Sequence, residues 1–517
     1  MNAVYHLALA DFRERVRRFS FLVIIALAAF LGYQVIGGLF ELRLGSYRGL
    51  LNAAWIGTLM ALSLAFFLSL AGFYIVRGNV EQDRQTGVGQ ILAATPLSKL
   101  GYVLGKFGSN TAVLLVVVGV LGLASLAMLL IHGEDKTLDL AQLLLPLLVF
   151  AGPVALLVAA TAVFFECTPV LRHSAGNVLF FFVWLFMVPA VGGDLLAFSV
   201  VEEGMTVALR AQGTDYQGGI VLGATGAAVM QTFLWTGFDW TAVAVTRLPY
   251  LAAALLLVGL AAVPFVRFDP ARARPQSPRI ARLGHDRFSQ LGQMGRRGET
   301  AVVSPVTPGQ LSPITAAAPL RRFAALVTAE LKLLLKGRTF FWYAGVVGLI
   351  LACLLAPLET TQRWLLPLAW LWPLLLWSEM GVRERRHRVD QLLFSAPAPL
   401  GWQLPAVWVA GVLLAIILGS GALLRFLAVP ELLPGFMAGA LFIPSLALLL
   451  GVVGGTERPL QILLLIFWYL GSLNGVAVFD ITGASQTAVA QGVPWFYLAL
   501  SPVLSGLIWL IRRRQIV

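Results

Sequence analysis

Residues 107–131 read FGSNTAVLLVVVGVLGLASLAMLLI and contain no charged side chain. A helix that crosses the hydrocarbon core of a lipid bilayer needs about 20 mainly apolar residues. This stretch therefore predicts a membrane-spanning helix. It decides the fold class because stretches of the same kind recur along the chain.

Comparable apolar stretches predict about twelve transmembrane helices in two sets of six, separated by a polar gap. The predicted spans of the first set are residues 21–40, 54–76, 107–131, 141–164, 175–192 and 247–266. The predicted spans of the second set are residues 340–357, 364–380, 404–427, 434–454, 460–479 and 494–511.

The composition agrees with a chain that is surrounded mostly by lipid. Of its 517 residues, 59% are hydrophobic and only 12% are charged, whereas an ordinary soluble domain has roughly 45–50% apolar and about 25% charged residues. So few charges cannot cover the surface of several soluble domains. The two cysteines allow at most one bridge, which excludes a disulfide scaffold. Together with the spans, these figures predict an all-α membrane protein.

The net charge of +12 follows the predicted topology. Lys and Arg accumulate in the short cytoplasmic loops of membrane proteins. If the N-terminus is inside, the arginine clusters at 13–18 and 383–388 are cytoplasmic, and the predicted outer segments 132–140 and 193–246 are neutral or acidic. We therefore expect a multi-pass protein of the cell membrane (inner or plasma), with both termini cytoplasmic and no nucleic-acid partner.

The hydrophilic segment 267–322 divides the chain into three parts. We expect a first six-span half at 1–266, a cytoplasmic linker at 267–322 and a second six-span half at 323–517. The linker is rich in Arg and Pro and has too little apolar surface to offset the entropy of ordering. We interpret it as a tether, with a basic strip on anionic membrane lipid as the alternative.

Each half begins with an amphipathic stretch just before its first span. Apolar residues recur there at helical spacing among charged ones, at Leu9, Phe12, Val16 and Phe19 and again at Phe323, Val327, Leu331 and Leu334. A helix with this pattern can lie in the membrane interface with its apolar face towards the lipid.

The loops after the second span of each half are similar to one another. Residues 78–100 read GNVEQDRQTGVGQILAATPLSKL, and residues 381–402 read GVRERRHRVDQLLFSAPAPLGW. When Gln90 is placed on Gln391, both copies have an acidic–basic pair, a polar turn, two turns of apolar helix and a proline that ends it. A helix this short is stable only when it packs against its own spans or a partner.

This loop resembles the first cytoplasmic loop of the permease subunits of type-2 ABC exporters. The resemblance implies two repeated six-helix halves, each preceded by an amphipathic elbow helix. It also implies that the loop helix docks on a separate cytoplasmic ABC ATPase, of which two copies would bind; a second permease chain remains open. The residues expected to contact the ATPase are Glu81, Asp83, Arg84, Gln90, Ile91, Leu92, Thr95, Pro96, Glu384, Arg385, Gln391, Leu392, Leu393 and Pro397.

The resemblance also suggests a role for each kind of residue in the loop. Ile91 and Leu92, with Leu392 and Leu393, would be the apolar contacts in the ATPase groove. The charged pairs Asp83–Arg84 and Glu384–Arg385 would fix the register at its rim, where ion pairs add specificity more than affinity. The second copy departs from the pattern, since it has His387 and Arg388 in place of a threonine and a glycine.

The sequence predicts no catalytic residue, cofactor site or metal site in this chain. The string at 101–107, GYVLGKF, is one residue too short for a phosphate-binding loop and lacks the hydroxyl that would bind magnesium. The five histidines are scattered over different loops. We therefore expect a protein that is not itself an enzyme, with ATP and Mg on the partner ATPase.

Two other functions stay open at this point. A twelve-span secondary carrier of the facilitator class has a similar loop, which Gly78, Asp83, Arg84 and Gly87 approach with the wrong spacing. The near absence of charge inside the spans argues against ion coupling. A membrane-embedded enzyme would need outer acids such as Asp194 or Asp239. In the same outer segment, the aromatic residues Trp235, Phe238 and Trp240 indicate an anchor in the membrane interface, with gating as the alternative.

Overall fold

The computed structural model of the chain is predominantly helical and divides into two compact units, Met1–Arg274 and Pro275–Val517. The boundary lies within the segment 267–322. The described residues are 2–37, 41–213, 219–223, 231–266, 268, 319–386, 389, 399–483 and 486–516. Most of the predicted linker lies outside them, so its role as a tether or a basic strip stays a prediction.

The first unit contains twelve α-helices in its described residues. They are α1 (Asn2–Val16), α2 (Phe19–Ile36), α3 (Ala53–Phe67), α4 (Phe73–Val76), α5 (Asn79–Thr86), α6 (Val88–Ala94), α7 (Lys99–His132), α8 (Leu140–Pro146), α9 (Gly152–Cys167), α10 (Ser174–Leu195), α11 (Phe198–Ala211) and α12 (Trp240–Ala261). A π-helical turn, Leu68–Gly72, joins α3 to α4, and another, Leu147–Ala151, joins α8 to α9.

A small β-sheet lies at the start of α3. The helix α6 comes later in the chain, after the end of the helical segment Ala53–Thr86 that begins with α3. The strands of the sheet are β1 (Glu41–Leu44), β2 (Tyr47–Gly49), β3 (Ile220–Gly223) and β4 (Gln231–Phe233), in the order β3-β1-β2-β4. The first two strands form an antiparallel hairpin with Gly45 in the left-handed region. The sequence did not predict this sheet, because strands of three or four residues from two distant loops leave no periodic signal in either loop.

The second unit contains eleven further α-helices in its described residues, apart from the single turn Leu358–Thr360. They are α13 (Pro319–Leu335), α14 (Phe340–Leu355), α15 (Leu366–Leu371), α16 (Leu374–Ser378), α17 (Arg383–Arg386), α18 (Pro399–Leu418), α19 (Ser420–Phe426), α20 (Leu433–Gly454), α21 (Arg458–Phe467), α22 (Gln486–Ala490) and α23 (Val493–Ile516). Two π-helical segments, Thr361–Leu365 and Trp468–Leu473, continue neighbouring helices.

Seven helices in the described part of the chain are long and apolar enough to cross a membrane, which makes this a membrane protein of mainly helical structure. They are Ala53–Thr86, Lys99–His132, Leu140–Cys167, Trp240–Ala261, Leu400–Leu418, Pro430–Gly454 and Val493–Gln515. Other predicted spans coincide with shorter or interrupted helices. The segment 364–380, for example, is divided between α15 and α16 at Pro373, which has no N–H to donate to a helical hydrogen bond.

The helix α13 meets α14 at a sharp angle. The two helices together have the length and composition of a span, but they are bent by 108°. One face of α13 carries Val327 and Leu334, which are buried, and its helical register agrees with the predicted apolar stripe. The helix begins at Pro319, four residues before the predicted start of the second half.

Candidate functional site

The short helix α6 forms the tip of the first loop. It spans Val88–Ala94, as the two-turn pattern predicts, and follows Gly87, which has a positive φ of 79°. At its end the hydroxyl of Thr95 donates to the carbonyl of Leu92 at 2.7 Å, and Pro96 follows. The helix is therefore closed at both ends by residues that the sequence motif contains.

The outer face of α6 is apolar and open. The side chain of Ile91 is 69% exposed, and Val88, Gln90 and Pro96 are also exposed. Leu92 is half-buried and packs against the core of the first unit. Of the two predicted apolar contacts in this copy, Ile91 is free to meet a partner, whereas Leu92 fixes the helix to its own unit.

The inner face of α6 rests on aromatic rings. A Cβ atom at Gly89 would lie 2.6 Å from the ring of Phe268, so the helix approaches this ring more closely than any other residue would allow. Phe268 in turn meets Phe265 and Tyr102 edge-on, with ring centroids 5.4 and 5.5 Å apart. The guanidinium of Arg84 lies 5.7 Å from the centre of the Phe268 ring. The tip of the loop is thus supported by residues at the ends of α7 and α12.

A buried ionic cluster lies next to this aromatic support. The side chain of Lys106 is fully buried, and its Nζ lies 2.7 Å from Asp11 Oδ2 and 2.7 Å from Asp83 Oδ2. The Tyr102 hydroxyl donates to Asp83 Oδ2 at 2.6 Å, and Lys106 Nζ donates to Asn79 Oδ1 at 3.1 Å. The cluster therefore joins three elements: α1 through Asp11, α5 through Asp83 and Asn79, and α7 through Lys106 and Tyr102.

The Asp83 carboxylate belongs to this internal cluster and is buried. Both of its contacts above are made within its own unit, and its sequence-based role, an ion pair at the rim of a partner's groove, stays a prediction. Arg84 instead pairs with Glu81, at 3.7 Å, and both of these side chains are partly exposed.

Small residues let α1 approach α7 closely. Cβ atoms built at Gly101 and Gly105 would meet Val4 at 3.4 Å and Leu7 at 2.6 Å. These glycines are one turn apart, as Lys106 and Tyr102 are, so the packing and the ionic cluster use adjacent faces of α7.

The start of α5 is held from the other side by α9. Glu166, which is buried, accepts hydrogen bonds from the backbone N–H groups of Gly78 and Val80, the latter at 2.6 Å. A carboxylate at this position satisfies N–H groups that have no partner within the helix. On the exposed side, Gln82 donates to Glu14 of α1 at 2.6 Å. The loop is therefore anchored to both of its neighbouring helices.

The pKa of Asp11 reflects its position in the cluster. Burial raises the pKa of this carboxyl above its usual range, while Lys106 lowers it and the Asp83 carboxylate raises it further. The net direction is upward, so desolvation outweighs the attraction of the ammonium group.

The second unit also ties its amphipathic helix to the segment after its second predicted span. Arg383 lies between two carboxylates, with NH1 3.6 Å from Glu330 Oε2 and Nε 4.0 Å from Glu379 Oε2. Glu379 also pairs with Arg338 at 3.2 Å. In both units, therefore, a cation bridges an acid of the amphipathic helix and a second acid.

The predicted contact residues of the second loop are only partly described. Glu384 pairs with the buried Arg512 of α23, so this carboxylate is used within the unit. Arg385 is exposed. The remaining predicted contacts lie outside the described residues: Gln391, Leu392, Leu393 and Pro397.

The two acids of the amphipathic helices that contact a bridging cation occupy equivalent places in their helices. The sequence reasoning missed this feature. Asp11 and Glu330 each stand five residues before the end of their helix. Residues 10–13 read ADFR and residues 329–332 read AELK. In the sequence, the signals for these cation–acid contacts were this short repeat and Lys106, which lies just before the third predicted span.

The aromatic residues of the outer segment pack against their own unit, and their interpretation as a membrane anchor stays a prediction. Trp235 is only 2% exposed, and Phe238 packs against it and against Trp240, with ring centroids 4.9 and 5.4 Å apart. The side chain of Gln142 accepts from the N–H of Phe238 and from Nε1 of Trp240. These rings hold the segment to the start of α8.

No part of the described chain offers a metal site, since no group of three or more His, Cys, Asp or Glu has suitable geometry. Cys167 and Cys353 are buried free thiols. No protein-family model, curated protein or solved structure matches the chain. Any functional assignment therefore depends on the geometry of the loops and on the sequence pattern.

Proposed function

We propose that this chain is the transmembrane permease of an ABC exporter. It would form the substrate pathway, with twelve spans in two repeated halves, and be driven through its loops by a separate cytoplasmic ATPase. The observation that carries this proposal is α6, a two-turn helix with Ile91 exposed on its outer face and its inner face fixed to α7 and α12.

The mechanical properties of this loop suit coupling. A load applied to Ile91 would pass through Gly89 to Phe268 and through α5 to the ionic cluster, because these contacts leave little room for the helix to move alone. Close-packed side chains transmit displacement rather than absorb it. The loop would then move together with α1, α7 and α12 instead of bending at its tip.

The sharp bend between α13 and α14 supports the elbow-helix part of the proposal. An amphipathic helix at 108° to an apolar one fits a helix that lies in the membrane interface before a span. In this arrangement both termini and both loops would be cytoplasmic, in agreement with the distribution of Lys and Arg.

One observation favours a second candidate, a secondary carrier driven by an ion gradient. Such carriers use buried titratable groups, and Lys106 with Asp11 and Asp83 is a buried titratable cluster. Its position argues against this role. Lys106 is the eighth residue of the 34-residue helix α7, about 10 Å from the end that joins the loop, rather than near the middle of the span.

The proposal is tested by purifying the full chain from its own host and identifying any ABC ATPase that co-purifies with it. The wild-type chain should retain two ATPase copies through detergent extraction. Ile91→Asp should release the copy under the first loop, so that one copy remains and ATP hydrolysis in the chain fraction is lost. Replacing Leu392 and Leu393 by Asp should release the second copy, so that stoichiometry falls from two ATPases to one in that variant.

Val207→Asp is the matched control, because Val207 is 61% exposed on α11, in the outer segment. This variant introduces the same charge and should retain both ATPase copies. Transport by the purified chain alone in response to an ion gradient, with no ATPase bound, would overturn the proposal in favour of the secondary carrier.

A further inference from the structure

The ionic cluster of the first unit has more acid than base. Asp11 and Asp83 both contact one ammonium group, that of Lys106, which is fully buried. If both carboxylates were ionised, these three groups would carry one excess negative charge. Arg15, the other cation that acts on Asp11, does not offset the burial that raises the pKa of this carboxyl. A buried charge without a partner is costly, and such a group commonly binds a proton instead.

The two carboxylates differ in the donors that reach them. Asp83 Oδ2 accepts from the Tyr102 hydroxyl in addition to its contact with Lys106. Asp11 Oδ2 is buried and has the Lys106 ammonium as its donor and ion-pair partner, but no hydroxyl donor comparable to Tyr102 reaches it among the described residues. Hydrogen bonds from donors stabilise an ionised carboxylate, so Asp83 is the better anion of the two.

Other charged groups near the cluster are already engaged. Arg15, one turn after Asp11 on α1, donates to the backbone carbonyl of Val76 at 2.9 Å. Glu166 on α9 caps α5. Glu14 on α1 pairs with Arg18 on the exposed side. The titratable and charged groups that face Asp11 are thus Lys106 on α7, Asp83 on α5 and Arg15 on its own helix.

We infer that Asp11 and Asp83 hold one proton between them against Lys106, so that the first unit contains a proton-binding site at the junction of α1, α5 and α7. The proton resides mainly on Asp11 and leaves Asp83 ionised between Lys106 and Tyr102. Neutralised in this way, the cluster matches one ammonium with one carboxylate. This site goes beyond the proposed function and does not depend on a partner ATPase.

The site makes the packing of α1 against α5 and α7 depend on pH. The pKa of Asp11 is raised above the usual value of its unfolded form, so the folded chain binds this proton more tightly than the unfolded chain does. The stability from the site is fully present below the ordinary aspartate pKa. It is lost as the pH rises through the raised pKa of the folded state.

The test uses the full chain in lipid nanodiscs, titrated with pH and followed by infrared spectroscopy. The wild-type chain should show a protonated-carboxyl C=O band that persists above the pH range of ordinary carboxyls and disappears as the pH rises further, and Asp11→Asn should lose the part of this band that Asp11 contributes. Glu330, whose pKa burial also raises, contributes to the band in both proteins. The unfolding temperature of the wild type should fall over the same pH interval, whereas that of Asp11→Asn should stay level.

Asp83→Asn provides a second variant, which should also lose this part of the band because Lys106 then faces one carboxylate and keeps it ionised. Glu14→Gln is the matched control on the same helix and should retain the band, because Arg18 and Gln82 hold the pKa of the partly exposed Glu14 carboxyl below its usual range, even though burial opposes them. A band of undiminished intensity in both Asp11→Asn and Asp83→Asn, or a wild type without any such band, would overturn the inference.

Discussion

Removing the ammonium group of Lys106 is the most informative perturbation of the first unit. In Lys106→Met the side chain keeps a similar length and loses only its charge and donors. Asp11 Oδ2 and Asp83 Oδ2 each lie 2.7 Å from Nζ, so they are at most twice that distance apart. Without the cation, two buried carboxyl groups would face each other across a gap of about 5 Å.

The magnitude follows from the geometry. Breaking a buried ion pair typically costs about 3–5 kcal/mol, because the Asp83 carboxylate is left buried without the ammonium. Two unit charges about 5 Å apart would repel by about 3 kcal/mol at an effective dielectric constant of 20, which keeps Asp11 protonated in the variant. Protonation of both carboxyls would remove the remaining buried charge, so the loss of unfolding free energy stays within this range. For a unit of this size, we expect the unfolding temperature to fall by about 6–20 °C.

The assay is thermal unfolding of the full chain in detergent, with Lys99→Met as the control. Lys99 is exposed at the start of the same helix, so its replacement should change stability by no more than about 0.5 kcal/mol. Adding Asp83→Asn to Lys106→Met should recover part of the loss, because it removes one of the unpaired acids. If Lys106→Met unfolds at the same temperature as Lys99→Met, the ammonium does not hold the cluster together and the reasoning is refuted.

Three further predictions concern other contacts of the first unit. Gly105→Leu should destabilise it by about 1–3 kcal/mol in thermal unfolding, because a Cβ there would already lie 2.6 Å from Leu7. Gln142→Ala should lower the free energy of unfolding by about 1–3 kcal/mol, because it leaves the indole N–H of Trp240 and the backbone N–H of Phe238 without an acceptor. Burial opposes ionisation of Glu134, but the N–H of Leu51 and an arginine hold its pKa below the usual value. The stability from this contact is therefore lost as the pH falls through the lowered pKa, and Glu134→Gln should remove that part of the acid dependence of unfolding.

The first two of these predictions each have a control variant, and the third is compared with the wild type. Gly119→Leu changes a glycine of the same helix that has no atom within 4 Å of a built Cβ, so it should leave stability nearly unchanged. Gln231→Ala removes an exposed glutamine side chain, and a loss as large as that of Gln142→Ala would contradict the stated cause. An acid dependence that is identical in Glu134→Gln and the wild type would show that this carboxyl does not contribute.

The sequence predicted the helical, membrane-embedded class because a long uncharged segment in lipid can satisfy all its backbone hydrogen bonds within itself by forming a helix. The two-turn helix after Gly87 was also predictable, since a glycine, an apolar turn and a proline punctuate it locally. The four-stranded sheet was not, because its strands are short and come from segments nearly 180 residues apart. Pairing between distant short strands depends on tertiary context rather than on local periodicity.

The candidate site shows the same division between local and distant information. The exposure of Ile91 follows from the helical pattern, but the burial of Asp83 does not. Its partners Asp11 and Lys106 come from other parts of the chain, and a loop of charged residues gives no indication of which side chain turns inward. The repeated ADFR and AELK segments become meaningful only once both acids are seen beside a bridging cation.

The central claim is that α6 is the docking point of a separate ATPase, and the dissociation constant of that complex tests it most directly. We propose measuring it with the full chain in lipid nanodiscs and the ABC ATPase that co-purifies with the chain. Loss of a central apolar anchor typically costs 2 kcal/mol or more, so Ile91→Asp should weaken binding at least about 30-fold. Val207→Asp should bind like the wild type. Equal affinities for Ile91→Asp and the wild type, or no binding by the wild type, would contradict the claim.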